Sequence, residues 1–95
     1  MTEREAYVEG LKSKLDQWDA EIDKLETKVD VVSADAKAQY VEYLATLKEQ
    51  RDEASSRLEE LRDSSGDAWQ EMRDGAERAA NALTESLKSA KSKLH

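Results

Sequence analysis

The 95-residue chain has no cysteine, no proline and no phenylalanine, and only three glycines and one histidine. Without cysteine there is no disulfide, no thiolate nucleophile and no thiolate metal site. Without proline, no ring removes a backbone donor or kinks a helix from within. β-Branched residues are also scarce, at five valines, four threonines and one isoleucine. These are the residues that favour strands, so a sheet is not expected. Apolar runs are a few residues long, far short of the roughly 20 that cross a bilayer. The amino-terminal MTEREAYVEG lacks the basic and then apolar stretch of a secretory signal, so the cytoplasm is the expected location. Basic charge is in deficit, with 15 basic against 22 acidic side chains and a net charge of −7. The summed field repels phosphate backbones and anionic headgroups, which argues against a nucleic-acid partner.

What the chain does contain is helix-forming material. Ala, Glu, Lys, Leu and Arg make up 51 of the 95 residues. These side chains lose little rotamer freedom in a helix, and such a balance is that of coiled coils and long helices. Apolar residues recur at three- and four-residue steps through Val8, Leu11, Leu15, Trp18, Ile22, Leu25, Val29 and Val32, a heptad seam. The steps continue through Ala36, Tyr40, Tyr43 and Leu47, with one extra four-residue step that relaxes a supercoil without changing the buried face. Arg51 and Ala54 then thin the stripe before Leu58 and Leu61, and Arg51 is expected to snorkel or pair there.

Helix ends can be read as well. Thr2 and Glu5 have the spacing of a capping box, so the first helix starts at residue 3. Gly66 can take the left-handed conformation, and Asp67 with Gln70 can cap a following helix, which predicts a turn over 64–66. A returning helix over 67–94 then buries Trp69, Met72, Ala76, Ala80, Leu83, Leu87, Ala90 and Leu94. Residues 30–35, Asp-Val-Val-Ser-Ala-Asp, leave two readings open: Ser33 could cap a new helix, but no glycine or proline requires a break. The favoured reading is a single helical domain over 1–95, an all-α antiparallel coiled-coil hairpin with one helix over 3–63, associating as a helical bundle. The returning helix cannot cover the seam from Val8 to Val32 in such a rod of roughly 90 Å, so a second chain must, and a dimer is favoured. The alternative is a monomeric three-helix bundle with a break near Ser33.

Chemistry is harder to find. The only histidine is His95, at the carboxyl terminus, and no inward Glu-x-x-His pair of a helical di-iron site occurs. Glu49, Asp52, Glu53, Glu59, Glu60 and Asp63 lie mainly off the seam, as a solvated charged face would. Residues 63–67 lack the alternating ligands of a calcium loop, and no glycine sits in a phosphate-binding context. No catalytic, cofactor or metal residue is therefore assigned. The residues singled out are structural: the seam of Leu11, Leu15, Trp18, Ile22, Leu25, Val29, Tyr40, Leu47, Leu58, Leu61, Trp69, Met72, Leu83 and Leu87, and the turn of Gly66 and Asp67. Trp18 and Trp69 fall in register, where large aromatics anchor helix packing.

Tyr7, Leu11, Leu15, Trp18-Asp19-Ala20, Ile22-Asp23, Leu25, Leu58, Leu61, Ser65-Gly66-Asp67-Ala68-Trp69 and Gly75 together resemble the small bacterial coiled-coil proteins described as a stress-response family. The likeness spans the chain, with Trp-Asp-Ala and Ser-Gly-x-Ala-Trp its most distinctive parts. It implies a cytoplasmic helical protein linked with stress and without known catalytic residues. The function expected is that of a structural or interaction protein that self-associates and binds an unidentified protein partner. The alternative is a peripheral membrane-surface protein using the amphipathic helix 67–94, whose acidic and basic side chains balance.

Overall fold

A computed structural model of the chain describes residues 2–64 and 66–93. Ser65, which the sequence reading placed in the turn, and Leu94 and His95 at the carboxyl end lie outside the described residues, as does Met1. The described chain is all-helical, with α1 over Glu3–Val29, α2 over Ala34–Asp63 and α3 over Ala68–Lys93. The three pack side by side into a bundle measuring 51 × 19 × 18 Å. None of these helices is long and apolar enough to cross a membrane.

The single helix expected over 3–63 is not what forms. Three helices stand where two were expected, because the chain leaves α1 at Asp30 and re-enters helix at Ser33. Ser33 is extended (φ −64°, ψ 159°), and its hydroxyl accepts the Ala36 N–H at 3.4 Å. Its carbonyl accepts the N–H groups of Ala36 and Lys37 at 3.1 and 2.9 Å. Val31 and Val32 between the helices are β-branched neighbours with reduced helix propensity. Folding back lets α1 pack its seam into both clusters within one chain. The reason for expecting a second chain to cover that seam falls away, and the in-phase step from Ala36 to Tyr40 that favoured a rod is equally compatible with the break.

Packing is uneven around the bundle. α2 lies along both other helices, whereas α1 and α3 approach each other far less closely. The core has two clusters. One joins Ile22 and Leu25 of α1, Tyr40, Leu44 and Leu47 of α2, and Leu83, Leu87 and Ala90 of α3. The other joins Leu11 and Leu15, Ala54, Leu58 and Leu61, and Ala76. Trp18 packs against both. Ile22, Leu47, Leu61 and Leu83 are fully enclosed, and each such side chain contributes roughly 1.5–3 kcal/mol of burial.

The two junctions differ in kind. At the second, Gly66 has φ +63°, the left-handed region in which a Cβ is strained. The Arg4 guanidinium donates to the carbonyl of Ser64 just past the end of α2, tying the start of α1 to this turn. The Asp67 carbonyl accepts the Gln70 N–H at 3.2 Å as α3 begins. At the amino terminus, the Thr2 hydroxyl accepts the Glu5 N–H at 3.1 Å, which is the helix start the sequence implies.

Candidate functional site

The structure places the predicted seam residues in three groups. Leu11, Leu15, Ile22, Leu25, Tyr40, Leu47, Leu58, Leu61, Leu83 and Leu87 are buried. Trp18, Val29, Trp69 and Met72 are half-buried and pack on the edges of the clusters. Gly66 and Asp67 form the second turn, both exposed. Leu44, which sequence reasoning passed over in favour of Tyr43, is buried, while Tyr43 is half-buried. α2 has neighbours on two sides, so a single line of seam positions understates the width of its buried face.

Arg51 does what its place in the thin part of the stripe suggested. Its Nη1 lies 3.3 Å from Asp19 Oδ1 on α1, and its Nη2 lies 3.1 Å from Asp52 Oδ1. Further ion pairs lace the helices: Lys48 to Glu26 at 2.7 Å between α2 and α1, Lys91 to Glu21 at 2.7 Å and Arg73 to Glu3 at 3.6 Å between α3 and α1. The Arg73 guanidinium also stacks over the Trp69 ring, 5.3 Å from its centroid.

Three surface depressions stand out among the described residues. The open α1–α3 side forms a groove floored by Leu11 and Ala80 and edged by Tyr7, Gly10 and Lys14. Burial, and then the charge of Glu77, raises the Tyr7 hydroxyl pKa in this groove; Arg73 opposes the shift and Asp74 adds to it. A second depression, between α2 and α3, sets Gln39, Glu42, Thr46, Glu85 and Ser86 around Tyr43. The third lies at the α1–α2 junction. There Val29, Val41, Leu44 and Ala45 line a groove together with Glu26, Asp30 and Lys48, and Val31 follows Asp30 in the chain.

Val31 and Val41 are the large apolar residues that the described structure leaves exposed, at 81% and 52%. Both belong to this end of the bundle. Around them Lys28, Asp30, Asp35 and Lys37 supply two charges of each sign, so the end is locally neutral on a chain of net charge −7. Sequence reasoning did not single out Val31 or Val41, because neither is on the seam. Their signal was the opposite one, apolar residues out of register.

Among the described residues, no three His, Cys, Asp or Glu side chains gather as a metal set would require. The chain matches no family model, no curated protein and no solved structure.

Proposed function

We propose that this protein is a self-associating helical contact protein, which acts through faces of the bundle that meet a second copy and an unidentified protein partner. The observation that carries the reading is the concentration of exposed apolar side chains, Val31 and Val41, at the α1–α2 end. Two copies of a chain with net charge −7 repel over most of their surfaces. The locally neutral end, with Lys28 and Lys37 beside Asp30 and Asp35, is where they can approach, and the valines give them apolar area to cover. The resemblance noted above adds a cytoplasmic, stress-linked setting. In this reading the protein supplies contacts and carries out no reaction.

The membrane-surface alternative has less support. The apolar face of α3 is occupied, with Ala76, Leu83, Leu87 and Ala90 buried against the other helices. Lipid binding through that face would require the bundle to open. The lysines Lys88, Lys91 and Lys93 near the end of α3 are accounted for by the helix dipole and, for Lys91, by Glu21.

Light scattering across a range of protein concentrations tests the proposal. The native chain is expected to move from monomer towards dimer mass as concentration rises. Val31→Lys combined with Val41→Lys should remain monomeric with unchanged helicity. A native chain that stays monomeric throughout, or a double variant that associates equally well, overturns the reading.

A further inference from the structure

The α1–α2 junction is built differently from the α2–α3 turn, and the difference bears on how two copies join. The second turn needs a left-handed glycine, Gly66, and is held by Arg4 on the Ser64 carbonyl. The first turn, Asp30 to Ser33, contains no glycine and no residue with positive φ. Asp30 is already helical at φ −73°, ψ −18°. Ser33 already has a helical φ of −64°, and only its ψ of 159° lies outside the helical region. The seam also stays in phase across the junction, from Val29 and Val32 to Ala36 and Tyr40, all of which face the same cluster.

Straightening the junction would replace the long Ser33 cap with helix hydrogen bonds that satisfy the free N–H groups at the start of α2 and the free carbonyls at the end of α1. It would also pull α1 off its own bundle. A second copy opened in the same way restores every lost contact. The α1–α2 ion pairs Glu26–Lys48 and Asp19–Arg51 are centred between residues 35 and 37. Two straightened 3–63 helices running antiparallel therefore have their dyad beside the junction, and each α1 falls on the other chain's α2 and α3. The dyad also brings the junction ends of both chains, with Val31 and Val41, into one region.

We propose that the chain dimerises by exchanging α1, with residues 30–33 as the hinge that opens into a continuous helix. This rests on the self-association reading and specifies its geometry. Exchange is a low-cost route to a dimer, because the native contacts are reused and only the hinge is new. In the exchanged dimer, the contacts of α1 with α2 and α3 are between chains, whereas a dimer docked through the surface keeps them within each chain.

The test uses the full chain, which has no cysteine of its own. Glu26→Cys with Lys48→Cys is refolded at high concentration, bridged with a short bis-maleimide, and the dimer fraction is weighed after denaturation. Exchange predicts that the bridged pair links two chains, giving dimer mass. A second variant, Ala34→Pro, suits the first position of α2 but breaks a helix running through it. It should abolish the dimer while leaving the monomer folded. Ser33→Ala, which loses the cap, should raise the dimer fraction. A dimer whose cross-links stay within single chains, or one that persists in Ala34→Pro, overturns exchange but leaves self-association standing. Monomer mass throughout, including in Ser33→Ala, overturns both.

Discussion

The guanidinium of Arg51 on α2 meets the carboxylate of Asp19 on α1, Nη1 to Oδ1 3.3 Å, in the layer between the two apolar clusters. The pair is half-exposed, 30% for the Arg51 side chain and 48% for Asp19. Pairs of this kind contribute roughly 0.2–1 kcal/mol, so Asp19→Ala should cost less than about 1 kcal/mol. The neighbouring Gln50 matters more, because its side-chain oxygen is buried with no hydrogen-bond partner among the described residues. Leaving such a group unpaired costs about 1–3 kcal/mol, so Gln50→Met should stabilise by about 1 kcal/mol. Urea unfolding of both variants checks this, and a destabilising Gln50→Met would contradict the packing of the layer.

The three glycines should separate cleanly. A Cβ at Gly10 meets nothing within 4 Å, and one at Gly75 comes only as near as 3.8 Å to the Arg57 side chain. Both lie inside helices, so alanine at either should stabilise by up to about 1 kcal/mol. Gly66 also has open space around it, but its φ of +63° strains any side chain. Gly66→Ala should lose about 1 kcal/mol or more. Thermal unfolding of the three variants would reveal an error in the turn if all three moved in the same direction.

Tyr7 supplies a pH dependence. Burial first, and then Glu77, holds its hydroxyl pKa above the ordinary 10.0. The unfolded chain therefore ionises Tyr7 before the folded chain does. Its contribution is complete below pH 10 and is lost as pH rises through the higher folded value. Native protein should lose stability faster than Tyr7→Phe above pH 10, as read by thermal midpoints at several pH values. Parallel curves for the two proteins would remove the groove environment assigned to Tyr7.

Much of this fold is legible in the residue pattern, and the exceptions have physical causes. The start at Thr2, the turn at Gly66 and the buried line from Leu11 to Leu25 each follow from a local rule, whether capping, left-handed φ or helical period. The break at 30–33 does not. Its one local mark is Ser33, and the seam stays in phase through it, so the same residues suit a rod and a hairpin. Which of the two forms depends on whether α1 covers its seam with its own chain or another, a tertiary choice that the Ser33 cap permits but does not decide. Trp18 and Trp69 sit half-buried at the cluster edges. The roughly 3–5 kcal/mol lost on truncating a fully buried tryptophan is thus an upper limit for either. At the candidate surface, Val31 and Val41 fall outside the periodic stripe, and a reading built on the stripe passes over them.

A small-angle X-ray scattering dilution series reports the shape of the isolated chain and its association together. The radius of gyration should lie near 15.3 Å as concentration approaches zero, with scattering mass rising towards that of a dimer as concentration increases. A dilute limit with the profile of an extended rod, or a mass that stays at one chain throughout the series, would contradict a self-associating three-helix bundle.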